Sequence, residues 1–241
     1  MIPKRIHYCW FGRKEKPRLA KKCIKSWKKY CPDYEIIEWN EDNFDIQAYP
    51  YAKYCYEHQN YAFLSDFVRL MVVYEFGGIY FDTDVELLRY PKNLMRYEAF
   101  FGFENESNIN TGIGFGAVKK HPIVHRMLEE YYSLQTDENG EFPISACPAL
   151  NTDALLSFGL VLDGQRQSIN GAEILPVDYL NPYDDQTGKL KKTKNTVSIH
   201  WYSKSWMKKS TILRSKITKP FHRIFGVNCF SWLKNRGKKH G

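Results

Sequence analysis

Gly77-Gly78-Ile79-Tyr80-Phe81-Asp82-Thr83-Asp84-Val85-Glu86 decides how this chain is read. Two carboxylates stand two residues apart at the end of an apolar run that follows a Gly-Gly break. On a strand, residues i and i+2 point to the same face. Two like charges held that close repel, and burial strengthens the repulsion. A divalent cation relieves it. Aspartate oxygens suit Mg²⁺ or Mn²⁺, ions that keep coordination positions for water and substrate phosphates. The segment therefore predicts a metal site, Asp82 and Asp84, for a phosphate-bearing substrate.

The residues around it predict an α/β fold. Arg5–Phe11 reads as a short buried strand ending at Gly12. Over residues 17–30, Ala20, Cys23, Ile24, Trp27 and Tyr30 fall at helical spacing with lysines on the other face. Residues 34–39 read as a second strand, and strand-helix-strand implies a parallel unit. Residues 61–76 give the clearest helix, with Phe63, Phe67, Leu70, Met71 and Tyr74 as its apolar stripe. Ser65, Asp66 and Arg69 share another of its faces, and Gly77-Gly78 stops it. The next strand spans 79–82 and carries the Asp pair at its carboxyl end. Further strands are expected at 100–103, 112–118, 173–177 and 196–201, and helices at 122–135 and 148–158. Ligands of open α/β sheets bind outside the carboxyl ends of strands. That rule gathers Trp10, Asp82, Asp84 and His200 on one rim.

Composition narrows the function classes. The chain has 241 residues, 43% hydrophobic and 16% aromatic, enough for a substantial core. Its net charge of +8 hides an asymmetry. Residues 186–241 hold 15 of the 35 Lys/Arg and no Asp or Glu, leaving an acidic body of 20 basic against 27 acidic residues. An acidic body argues against a nucleic-acid binder and points to a local anionic partner for the basic end. The six cysteines form no C-x-x-C pair, which disfavours zinc. No apolar run has the length of a membrane span or opens the chain, so a cytosolic protein with reduced thiols is expected. We expect one domain over 1–206 and a basic amphipathic extension over 207–241. The extension mixes Lys/Arg with Ile212, Leu213, Ile217, Phe221 and Trp232, a composition that suits the anionic inner face of a membrane, with Pro220 expected to interrupt any long helix.

As a set, Ile2-Pro3-Lys4-Arg5-Ile6-His7, Trp10-Phe11-Gly12, Ser65-Asp66-Phe67-Val68-Arg69-Leu70, the Gly77–Asp84 stretch, His200-Trp201 and Ser205-Trp206 resemble the family 32 glycosyltransferases. These have the GT-A fold and a DXD sugar-binding region, and are related to yeast-type initiating mannosyltransferases and clostridial glucosylating toxins. The resemblance is strongest to bacterial members of capsule and lipopolysaccharide clusters. It implies a single GT-A-type domain with a Rossmann-like, mostly parallel central sheet flanked by helices. It also implies sugar transfer with retention of configuration from a nucleotide-diphospho-sugar, a UDP-sugar favoured, to a polysaccharide or lipid-linked oligosaccharide.

The resemblance assigns roles. Trp10 would stack on the nucleotide base, worth about 1–3 kcal/mol in comparable base-stacking sites. Ser65, Asp66 and Arg69 would face the donor. Asp82 and Asp84 would bind Mn²⁺ (or Mg²⁺), Asp84 directly, with His200 as third ligand. Ser205 and Trp206 would donate to the leaving phosphates. Glu86 reads as a solvent-facing strand residue. Asn110-Thr111-Gly112 and Asn151-Thr152-Asp153 have side chains suited to sugar hydroxyls, but equally to turns and caps. Two other readings compete. Haloacid-dehalogenase-like phosphohydrolases also place D-x-D after an apolar strand, which would make Asp82 a nucleophile. A non-enzymatic peripheral membrane or interaction module would rest on the basic tail alone.

Overall fold

A computed structural model describes residues 1–143, 147–204 and 209–230. The chain opens with strand β1 (Arg5–Cys9), helix α1 (Arg18–Tyr30) and strand β2 (Glu35–Trp39). Helices α2 (Pro50–Glu57) and α3 (Tyr61–Phe76) lead into β3 (Gly78–Tyr80) and β4 (Val85–Leu87). Then come β5 (Ala99–Asn105), β6 (Asn108–Ile109), β7 (Phe115–Ala117), α4 (Pro122–Tyr132) and α5 (Cys147–Leu156). The remainder is β8 (Gln167–Ile169), β9 (Ala172–Leu175), α6 (Val177–Leu180), the hairpin β10 (Tyr183–Asp184) and β11 (Lys189–Leu190), β12 (Ser198–His200) and α7 (Lys209–Phe225).

The main sheet runs β2-β1-β3-β7-β5-β9-β8, with β6 on β5. β1 pairs in parallel with β2 and β3, and β5 with β9. β7 is antiparallel to both of its neighbours, and β8 to β9. The fold is thus a mostly parallel central sheet flanked by helices, as expected. The sense of β7 matters for function. Because it runs against β3, the loop entering it arrives at the rim where β3 ends. Tyr80 stands opposite Phe115, and the Asp82 amide donates to the Gly112 carbonyl at 3.3 Å.

Alternation along the strands feeds two cores. Ile6, Tyr8, Ile79, Phe81 and Phe100 pack with Trp27 of α1 on one face. Cys9, Tyr80, Phe101 and Phe103 pack with α3, α4 and α5 on the other. Helix α3 is buried over most of its circumference, with Leu64, Phe67, Val68, Leu70 and Val73 at 0–1% exposure. Each such side chain contributes about 1.5–3 kcal/mol. That burial, rather than helix propensity, holds the element bearing Asp66 and Arg69 in place.

Gly77 caps α3 with φ +64° and donates its amide to Val73. Gly78 answers a second constraint. A Cβ there would lie 2.9 Å from the Arg5 carbonyl oxygen and from His7 Nε2. His7 is fully buried. Its Nδ1 accepts from Trp39 Nε1 at 3.0 Å, so Nε2 carries the proton and donates to the Gly77 carbonyl at 2.8 Å. One imidazole thereby ties β1, β2 and the end of α3 together.

Three expectations need correction. The Asp pair does not ride on a strand, since β3 ends at Tyr80. Asp82 and Asp84 lie in the tight connection to β4, where the Val85 amide donates to the Asp82 carbonyl at 2.9 Å. Glu86 does not point freely into solvent but accepts from Lys22 at 2.7 Å and Trp201 Nε1 at 2.8 Å. Pro220 lies within α7 rather than ending it. It lacks only the amide that would have bonded to Lys216, four residues back.

The neutral lock at His7 has a pH signature. Burial pulls the imidazole pKa from 6.5 down to about 4. The unfolded chain therefore binds this proton near pH 6.5 and the folded chain only near 4. The stabilisation is fully present above 6.5 and is lost as pH falls toward 4, a span of about 3 kcal/mol. Urea unfolding of the wild type and of His7→Gln across that range should show the variant missing this part of the acid-side slope.

Candidate metal and donor site

At the carboxyl rim of β3 the chain turns sharply, and two neighbours close around the turn. One is α3, which directs Asp66 and Arg69 at it. The other is β12, antiparallel to β4, which sets His200 opposite Val85 and brings the Trp201 amide to the Asp84 carbonyl at 3.0 Å. Asp82, Asp84 and His200 can each offer a ligand atom, all within 4.8 Å of one another. Two carboxylates and an imidazole are a donor set that suits Mn²⁺ or Mg²⁺. Among the described residues this is the one His/Cys/Asp/Glu grouping that could hold a metal.

The three side chains differ in what holds them. Asp84 is buried at 7% exposure. Its Oδ1 lies 3.1 Å from His200 Nε2, and its Oδ2 accepts the Ser203 amide at 2.7 Å. Burial would raise its pKa, but His200 and the Ser203 amide outweigh that and hold the carboxyl well below its usual range. Burial likewise opposes charge on His200, but Asp84, then Asp82 and Glu104, push its pKa above the ordinary value. The His200 ring lies 4.1 Å from that of Tyr202, whose hydroxyl donates to Glu104 and accepts from Asn181.

Asp82 is governed by α3. Its Oδ1 accepts from Arg69 at 2.9 Å and from Tyr80 at 3.0 Å. The same Arg69 nitrogen lies 2.8 Å from Asp66, so one buried guanidinium stands between two carboxylates. Burial raises the pKa of Asp82 against Arg69, and Asp84 raises it further. Asp66, more strongly desolvated and also facing Asp82, is pushed to about 7. Asp82 Oδ2 is turned toward Gly112, where a Cβ would meet it at 2.5 Å and Arg69 at 2.8 Å. Only glycine leaves that approach open.

Most of the expected site residues lie among the described ones. Trp10 stands half-buried after β1, its Nε1 donating to the Lys14 carbonyl at 2.6 Å and Lys16 lying 5.6 Å from its ring centroid. The Ser65 hydroxyl donates back to Tyr61 within α3. Arg69 forms an i,i+3 pair with Asp66, but a buried one, with one Nη on both carboxylates and Nε donating to the Ser65 carbonyl. Ser205 and Trp206 lie outside the described residues. The two polar triplets converge. Asn151 Nδ2 donates to Thr111 Oγ1 at 2.9 Å, while Asp153 is exposed. Thr111 and Asn151 meet Cys147, which lies 3.6 Å from Arg69. Burial lifts that thiol to about 12, so it packs as a neutral group.

Sequence reasoning missed Tyr80, Gly112 as the neighbour of Asp82, Cys147, Tyr202 and Ser203. Tyr80 was within reach, since it stands two residues before Asp82. The others are brought together by tertiary structure and leave no local pattern.

Fold and site define an α/β protein with an Asp-X-Asp pair on its sheet rim that could hold a cation, braced by the buried Arg69 between Asp66 and Asp82. Residues 17–101 match the family described as the glycosyltransferase sugar-binding region containing DXD motif. The chain is 31% identical over 131 residues to inositol phosphoceramide mannosyltransferase 3 of Schizosaccharomyces pombe, covering 53% of this chain and 36% of that one. It is 26% identical over 136 residues to mannosyl phosphorylinositol ceramide synthase CSH1 of Saccharomyces cerevisiae, covering 54% and 35%. It thus spans about a third of the length of these relatives. Among solved structures, the PaToxG glycosyltransferase superposes with a TM-score of 0.49 at 20% identity, over 65% of this chain and 69% of that one. A glycosyltransferase involved in glycosylation of the PBCV-1 major capsid gives 0.47 at 12% identity, over 90% and 99%.

Arg69→Met removes the charge between Asp66 and Asp82 and leaves both carboxylates uncompensated. Urea unfolding at neutral pH should show a loss of about 3–5 kcal/mol, the cost of breaking a buried ion pair from one side.

Proposed function

We propose that the protein is a metal-dependent, retaining glycosyltransferase. It takes a nucleotide-diphospho-sugar, with UDP favoured by family resemblance, and transfers the sugar to a glycan or lipid-linked glycan. The observation that carries this reading is the convergence of Asp82, Asp84 and His200 beside the Arg69 guanidinium. The match of residues 17–101 to the DXD sugar-binding region favours it over a phosphohydrolase with Asp82 as nucleophile and over a purely structural module.

In this reading Asp84 and His200 are the direct ligands. A bound Mn²⁺ or Mg²⁺ would neutralise charge on the donor's diphosphate as the nucleoside diphosphate departs. Asp82, held at Oδ1 by Arg69 and Tyr80, offers Oδ2 to the ion through water or to a donor hydroxyl. Trp10 gives the base a stacking face. Asp66 accepts from sugar hydroxyls, and Arg69 contributes a fixed positive charge in a low-dielectric setting, where such charges act most strongly. Ser205 and Trp206 supply a hydroxyl and an indole N–H to the leaving phosphates, by resemblance alone. No side chain is assigned as general base, because in front-face transfer the departing phosphate takes the acceptor's proton. The yeast relatives are named for mannosyl transfer to inositol phosphoceramide, which supports a lipid-linked acceptor.

The test is a donor screen by nucleotide release with Mn²⁺ and with EDTA, joined to Mn²⁺ titration followed by the free-ion EPR signal. The wild type should release nucleotide from one donor class only with metal. Asp84→Ala should lose both Mn²⁺ binding and release while keeping its circular dichroism spectrum. Full release in EDTA, or by Asp84→Ala, would overturn the reading.

A further inference from the structure

Helix α7 presents two faces of opposite character. At 100° per residue, Ser215, Lys219 and His222 fall on one side, and this side docks on the body. Lys219 Nζ donates to Tyr183 at 3.1 Å and to Asp185 at 2.8 Å. Ser215 accepts from Lys204 at 3.4 Å, and His222 Nδ1 meets the Gln186 carbonyl at 3.3 Å. The opposite side carries Leu213, Ile217, Phe221 and Ile224, at i, i+4, i+8 and i+11. They are 60, 58, 47 and 73% exposed. This is an apolar stripe more than two turns long, turned away from the protein that anchors the helix. Soluble surfaces scatter single apolar residues, whereas a continuous exposed stripe marks a binding face.

Charge indicates what covers it. Arg214, Lys216 and Arg223 flank the stripe and are exposed. No Asp or Glu occurs anywhere from residue 186 to the end of the chain. A stripe that packed against a second copy through self-complementary contacts would need acidic partners for these cations, and this part of the chain has none to offer. A cation-rimmed apolar face with no acidic residue matches an anionic lipid surface. There the apolar side chains sink to the headgroup boundary and the basic ones meet lipid phosphates. Among the described residues no helix is long and apolar enough to cross a membrane.

We propose that α7 is an interfacial helix that seats the protein on an anionic bilayer through Leu213, Ile217, Phe221 and Ile224. Lys219 and Asp185 clamp it to the body of the protein, so the bilayer fixes the body's orientation as well as its location. The proposal stands on α7 alone and does not depend on the sugar-transfer reading.

Sedimentation of the full chain with phosphatidylcholine vesicles, with and without phosphatidylglycerol, tests it. The wild type should bind the anionic vesicles and not the neutral ones, and should release in high salt. Two variants probe the two components. Ile217→Ser/Phe221→Ser/Ile224→Ser removes the stripe, and Arg214→Gln/Lys216→Gln/Arg223→Gln removes its charged rim. Each should weaken binding about tenfold or more, as expected for loss of apolar burial or of several cation contacts. Both should keep the wild-type melting temperature and Mn²⁺ binding, since the altered residues face away from the core and the acidic site. Failure of the wild type to sediment with anionic vesicles overturns the proposal, and so does unchanged binding by both variants. Concentration-dependent dimerisation, without vesicle binding and dispersed by the apolar variant, would assign the stripe to self-association instead.

Discussion

The position of Arg69 constrains everything else at the rim. A guanidinium at 3% exposure is tolerable only with carboxylates against it, and Asp66 and Asp82 supply them at 2.8 and 2.9 Å. Burial acts against all three charges, and at the two carboxylates the attraction of Arg69 offsets only part of it. The arrangement needs α3 to be immobile, which explains why a helix presenting polar residues at Ser65, Asp66 and Arg69 is otherwise so thoroughly apolar. It also needs backbone to pass within touching distance of the pair, which explains Gly112. A rigid positive charge beside an acidic ligand set is a sensible construction for a site that meets a diphosphate. On the proposed reading, the protein's own dipoles would be arranged before substrate arrives, leaving little reorganisation for the reaction.

Much of this was legible in the sequence. Helix α3 was read at its true boundaries because its stripe, its polar face and its glycine stop are all local signals. The strand-helix-strand opening and the rim location of Trp10, Asp82, Asp84 and His200 followed from periodicity and the carboxyl-end rule. Other features were invisible for physical reasons. Same-face alternation suggested the right proximity for Asp82 and Asp84 by the wrong geometry, since a turn and a strand can bring residues i and i+2 together alike. The contact of Cys147 with Arg69, Thr111 and Asn151 joins three separate parts of the chain, and no spacing rule reports such a meeting. Helix α7 was obscured by Pro220, which a helix tolerates when only one exposed bond is lost. The exposed stripe on α7 could be seen as composition, but its direction required knowing which side Lys219 turns toward Asp185.

The two-stranded pairing of β12 with β4 has a consequence for how the molecule forms. Asp84 is made early in the chain and His200 near its far end, and their neighbours meet along that short antiparallel ladder. Contacts between parts so distant in sequence carry a loop-closure cost that nearer contacts do not. A chain that has collapsed around its main sheet but not yet added β12 would lack the imidazole and the Ser203 amide that steady Asp84. A cation bound at this site would favour the completed fold over such species by mass action. Metal occupancy would then report topological completion: the ion is held well only by molecules in which the last strand has found its place.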